Sequence, residues 1–271
     1  MKSRIFVLAA AGVACGMAGR AGAIEPVDRL KVSVGSYIIE HDVDLRWDSE
    51  TVGTGSDIDF HRDLGFDDSR TDVFWSLDGV LGEHHKFSAF GYRYDSGGQR
   101  LLAEDFNIHD SQFPVDAAFS GDMEVRMAGV AYTWLFHRND RSAAGVGIGA
   151  VRYDVTADLA AAAETGEGLI TAEERLDEDA WAPMLRVEYH HSLGERWRMG
   201  GQISYVKKSG GDTSGDAIDV NVHLEYFPWE HFGFGLRYNY NDADLDFERS
   251  RFTGKLNLKN QGPQVVATLR F

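Results

Sequence analysis

Alternation is what most constrains this chain. Between Leu30 and Phe271, long stretches alternate apolar and polar side chains with a period of two, and no 3.6-residue stripe appears. Such a pattern folds as strands with two unlike faces. Val73, Trp75, Leu77 and Leu81 oppose Asp72, Ser76 and Asp78, while Phe90, Tyr92 and Tyr94 oppose Gly91, Arg93 and Asp95. Trp181, Leu185, Val187 and Tyr189 oppose Arg186, Glu188 and His190, and Trp197, Met199, Ile203 and Tyr205 oppose Arg198, Gln202 and Ser204. The same holds for Ile218 to Tyr226 against Asp219, Asn221, His223 and Glu225, and for Phe232 to Tyr240 against Gly233, Gly235, Arg237 and Asn239.

A soluble sandwich also alternates, so strand length, aromatic placement and turn spacing have to decide. The runs reach about ten residues, beyond the usual five or six and matched to the nine to eleven that cross a bilayer. Aromatics gather toward the ends of the apolar faces, as interfacial girdles do. Short links at Gly82 to His85, His137 to Arg141, Ser192 to Glu195 and Pro228 to His231 alternate with long polar links. The long ones are Asp48 to Ser69, Gly97 to Phe119, Ala160 to Glu178 and Asn241 to Gly254, with a smaller one near Ser209 to Ser214. This sorting predicts an all-β, single antiparallel transmembrane barrel with short periplasmic turns and long external loops.

Up strands are expected to begin near Leu30, Lys86, Ser142, Arg196 and His231, and down strands to end near Leu81, Phe136, His191, Phe227 and Phe271. That gives ten strands with both termini periplasmic. Eight is the alternative, because the stretch from Gly145 to Val151 switches face midway, as a bulge would make it do. The first strand changes parity as well: Val32, Val34, Ser36 and Ile38 share one face, and His41, Val43 and Leu45 the other. Ser56 to Phe60 is expected to form a small hairpin arm outside the membrane.

The amino terminus reads as a secretory signal over residues 1–23: Lys2 and Arg4 precede an apolar run, and Ala21-Gly22-Ala23 offers a small-x-small cleavage site. The barrel then occupies 24–271. Cys15, the chain's single cysteine, falls in the signal, so no disulfide or cysteine metal site is expected in the exported protein. No later apolar run approaches the roughly 20 residues of a spanning helix. With 43 acidic against 27 basic residues and a net charge of -16, a nucleic-acid partner is not expected.

If lipid takes the apolar faces, the opposite parity lines the lumen. The lumen-facing polar candidates are Asp78, Arg93, Asp95, Arg186, Glu188, Gln202, His223, Glu225, Arg237 and Arg270. Opposite charges in this set can pair across a narrow interior, which makes buried charge tolerable. A ten-stranded lumen is narrow enough for side chains to fill, so occlusion is expected.

The Ala-Gly-Ala site, the alternating aromatic strands and the terminal Gln264 to Phe271 resemble small Gram-negative outer-membrane β-barrel proteins. The pieces GTGSDIDFHRDLGFDDSRTDVFWSLDG and KFSAFGYRYDSGG look like those of an uncharacterised subgroup. The resemblance implies location in the cell outer membrane among outer-membrane lipids and lipopolysaccharide. It also implies that the Phe271-terminated last strand, with Val265, Ala267 and Leu269 in the same parity, is presented to the barrel-assembly machinery.

Two constellations suggest chemistry. His190-His191-Ser192 near Glu188 resembles the histidine and serine of outer-membrane lipid A deacylases, but falls at a periplasmic turn. His41, Asp42 and Asp44 with His109 and Asp110 lie toward external ends, where ten-stranded outer-membrane proteases hold acidic residues and a histidine. Neither forms a motif that can be placed residue by residue. Acidic links, such as Asp57 to Asp68 and Glu173 to Asp179, match no defined calcium loop, and no cofactor or metal is implied. The expected function is a non-enzymatic barrel with a structural or narrow-channel role. The alternatives are an outer-surface hydrolase and a surface adhesion module. The sequence leaves oligomeric state open.

Overall fold

The alternating runs pair into one sheet, and the sheet closes. The computed structural model describes residues 24–49, 56–59, 69–101, 106–108, 111–113, 118–165, 168–210, 213–249 and 252–271. Its strands are β1 (Leu30–Ser49), β2 (Ser56–Asp59), β3 (Ser69–Leu81), β4 (His85–Leu101), β5 (Phe106–Ile108), β6 (Ser111–Phe113) and β7 (Ala118–Arg138). Then come β8 (Ser142–Thr165), β9 (Gly168–Ser192), β10 (Trp197–Lys208), β11 (Thr213–Tyr226), β12 (Phe232–Arg249) and β13 (Phe252–Arg270). Ten of these, all but β2, β5 and β6, are antiparallel neighbours in chain order, and β13 returns to pair with β1 from Lys31↔Arg270 to Ser49↔Phe252. Closure removes the unpaired edge that hydrocarbon would not tolerate.

The register fixes the barrel's shape. Stepping across paired residues from Lys31 to Asp78, Ser88, Ala131, Gly149, Met184, Val206, Ala217, Ala243 and Leu258 returns to β1 at Val43, twelve residues above the start. That stagger on ten strands tilts them by about 40° and sets a backbone diameter of about 20 Å.

The outward faces carry the apolar belt: Val34, Trp75, Val130, Ile148, Leu185, Ile203, Val222, Leu236 and Val265 are all exposed there. The belt ends abruptly. On its outer side the first charged residue of the outward row is Arg93 on β4, Arg126 on β7, Arg152 on β8, Lys207 on β10, Asp216 on β11 and Asp242 on β12. Ten residues separate Trp197 at the inner rim from Lys207, about 25 Å along the axis of a barrel tilted in this way, the height of an outer-membrane apolar band. Trp134, Phe136, Trp197, Trp229 and Phe271 crowd the inner rim.

The structure corrects the expected facing of β4. Phe90 and Tyr92 turn into the lumen, where the Arg186 guanidinium lies 4.6 Å over the Phe90 ring and Tyr92 meets Tyr37 edge-on at 6.5 Å. Arg93 and Asp95 therefore face outward, roughly half exposed, paired with each other at 3.2 Å. The β3–β4 register causes this: Trp75 stands opposite Gly91 on the outward face, and a Cβ on Gly91 would meet the indole Nε1 at 2.9 Å. An aromatic ring suits either lipid or a filled lumen, so its parity alone does not choose the face.

Other irregularities resolve without bulges where they were expected. β8 keeps one register on β9 from Ser142 to Thr165 through the glycine-rich stretch; Val146 and Ile148 face lipid, and Val151 is buried inside. Among the described residues the one shift in register lies on β7, between Trp134 and His137. β1 holds a single register on β13 across its change of parity. Ser56–Asp59 pairs with Asp44 to Trp47, as the small arm predicts. Much of the length expected as loop is paired strand instead, out to Leu101↔Ala118, Thr165↔Gly168 and Arg249↔Phe252. β5 and β6 add a two-stranded piece within the 97–119 link.

Candidate functional site

The inward rows of the inner half converge on a chain of ion pairs. Glu188 on β9 accepts from the Lys86 Nζ through both oxygens at 2.9 Å. Lys86 also sits 3.4 Å from Asp78, which accepts a hydrogen bond from Ser88 at 2.7 Å. Asp78 is 3.8 Å from Lys31, and Lys31 is 3.4 Å from Glu225 on β11. Glu225 accepts from the Arg198 Nε at 2.8 Å, Arg198 also holds Asp28 at 2.8 Å, and Asp28 accepts from Arg270 at 3.2 Å. These eight residues alternate in sign and cancel in charge, and they come from seven strands and from the segment before β1. Glu188 and Glu225 have no exposed side-chain surface. A carboxylate this deep is tolerable only with cations and donors on its oxygens.

Satellites thicken the layer. Arg237 approaches Glu225 at 3.6 Å, lies 5.0 Å over the Phe74 ring and donates to Ser33 at 3.4 Å. His190 sits 3.7 Å from Glu188 and packs against His223 with ring centroids 5.5 Å apart. Gly200 on β10 makes room for both imidazoles, because a Cβ there would meet His190 Nδ1 and His223 Nε2 at 2.7 Å each. Outward of this layer, Asn239 bridges Asp219 at 3.1 Å and Asn221 at 3.3 Å. Arg186 donates to Ser204 at 3.2 Å. Higher still the lining turns apolar, with Val151, Met184, Val206 and Ala217 buried.

The ion-pair layer is braced from below. Residues 24–29 run across the inner mouth. The Ile24 N–H donates to Gly194 O in the β9–β10 turn, and Ser192 donates its hydroxyl to Ile24 O. Arg198 donates to Glu25 O at 3.1 Å, Arg138 to Val27 O at 3.4 Å, and Val80 N–H to Arg29 O at 2.8 Å. Val27 packs against Val80 and Ala143.

Of the ten expected lumen residues, the structure brings Asp78, Glu188, Glu225 and Arg270 into the chain of charges itself, Arg270 at its inner-mouth end. Arg186, Gln202, His223 and Arg237 are on the lumen wall beside it. Arg93 and Asp95 lie outside. Lys31, Lys86, Asp28 and Arg198 complete the network without having been singled out. Arg198 shares inward parity with Gln202, so it was readable. Lys31 and Lys86 stand at strand starts, where too few neighbours define a parity. Asp28 precedes any alternation.

The hydrolytic constellations do not assemble among the described side chains. His190 points into the lumen and His191 outward, where its Nδ1 lies 2.8 Å from Ser142; Ser192 is committed to a backbone carbonyl. His41 and Asp44 belong to the outer part of β1, opposite Asn260 and Asn257, but their side chains lie outside the described residues, as do His109 and Asp110. Among the described residues no three His, Cys, Asp or Glu side chains are placed to hold a metal ion.

No family model and no curated protein matches the chain. Solved structures do. The outer membrane protease OmpT from Escherichia coli aligns with a TM-score of 0.54 at 10% identity, over 91% of this chain and 97% of that one. The outer membrane protein OprG from Pseudomonas aeruginosa aligns at 0.40 and 10% identity, covering 93% and 99%. The toluene transporter TodX from P. putida aligns at 0.36 and 9% identity, covering 90% and 91%. At such identity the OmpT likeness is one of fold alone. The closed ten-stranded sheet and its outward apolar belt are those of an outer-membrane β-barrel.

Proposed function

We propose that this chain is a non-enzymatic outer-membrane barrel whose lumen is shut at rest, with a structural or narrow-channel role. One observation carries the reading: the neutral chain of eight alternating charges, from Glu188 to Arg270, that fills the inner half of the lumen. A pathway for ions needs mobile water and unpaired polar groups along its length, whereas these charges are spent on one another. The commitment of Ser192 to the carbonyl of Ile24 favours the same reading over hydrolysis.

Planar-bilayer recording of the purified protein tests it. No steady current is expected at moderate voltage, and a robust single-channel current in the wild-type chain overturns the shut lumen. The proposal includes removal of residues 1–23 on export, acyl chains and lipopolysaccharide around the belt, and presentation of the Phe271 strand to the assembly machinery. Phe271→Ala is expected to lower the amount of folded barrel in outer-membrane fractions; unchanged assembly removes that partner from the proposal.

A further inference from the structure

The segment before β1 is more than a lead-in. It starts at the β9–β10 turn and ends where β1 meets β3 and β13, on the opposite wall. Six residues reach at most about 20 Å, and residues 24–29, which bend at Pro26, Val27 and Arg29, join these two walls. We propose that residues 24–29 form a displaceable strap that gates the periplasmic mouth, with Arg198 as the post it shares with the charged layer above. The proposal rests on the shut-lumen reading and names what releases it.

Three features make this segment the moving part. It carries no strand ladder of its own, and its hold is a set of single hydrogen bonds to groups that water can satisfy equally well. Its apolar anchorage is small: three side chains, Ile24, Pro26 and Val27, are buried, and Val27 packs against Val80 and Ala143. Its one buried charge, Asp28, sits between Arg198 and Arg270, so withdrawing the strap removes the last anion of the alternating chain and leaves two guanidiniums facing each other at the mouth. Repulsion between them, and competition of Arg198 with Lys31 for Glu225, loosens the layer from its inner end.

Single-channel recording on a Cys15→Ser background tests the gate with two variants. Deletion of residues 24–29 is expected to raise the open probability at least tenfold over the wild type. Val27→Cys with Val80→Cys, joined by oxidation, is expected to abolish openings, and a reductant to restore them. The second variant keeps the proposal falsifiable if the deletion fails to fold. Equal open probability in the oxidised and reduced forms overturns the strap. So does a folded deletion variant that stays silent, since the charged layer then closes the lumen unaided. A steady wild-type current abolished by the oxidised pair refutes the shut resting state and leaves the strap standing. A steady current that neither variant changes refutes both.

Discussion

Lys86 and Glu188 are 102 positions apart in the chain, yet the ammonium lies 2.9 Å from each carboxylate oxygen across the lumen. Removing one partner strands the other. Lys86→Met is expected to destabilise the barrel by about 3–5 kcal/mol, and Lys86→Met with Glu188→Leu to recover most of the loss. The midpoint of urea unfolding in detergent, followed by the heat-modifiable shift on gels, measures both. A single variant as stable as wild type would remove this pair from the account of the closed lumen.

Gly200 is the space that the His190 and His223 rings occupy. Gly200→Val forces at least one imidazole to move and is expected to cost about 1–3 kcal/mol by the same unfolding measurement. Adding His223→Ala should return part of it. Additive losses in the double variant would show that the crowding lies elsewhere.

The edge of the apolar belt makes a sharper test of membrane placement. Val222 lies mid-belt on β11 and Asp216 just beyond its outer edge. Val222→Arg is expected to cost about 2–4 kcal/mol and Asp216→Arg about 0–1 kcal/mol when folding into bilayers is measured. Equal costs would mean that the belt does not meet hydrocarbon as drawn.

Export should leave Ile24 as the first residue. Intact mass of protein extracted from outer membranes reads this directly, and a start elsewhere within 24–29 would rebuild the strap.

Strand number, order and most parities were legible because lipid imposes one rule on every outward position within the belt, as at Leu185, Ile203 and Val265. The interior obeys no such rule. There Phe90 stacks under Arg186, and Val151, Met184 and Val206 line the upper lumen beside Asp219, so apolar residues occur on both faces and the parity of β4 is ambiguous. Which charges meet is set by barrel closure, which places Lys31 against Glu225 across 194 positions; their types are readable in sequence, but their partnership is not. The strap was illegible for a simpler reason: six residues without a period carry no pattern.

The β1–β13 seam has a further consequence for assembly. Since neighbouring side chains point to opposite sides, a slip of one position at this last joint would carry Lys31 and Ser33 into acyl chains and Val32 and Val34 against the lumen's carboxylates. Every odd slip is thereby penalised twice, once by oil and once by unpaired acid, and the nascent cylinder proofreads its own final seal.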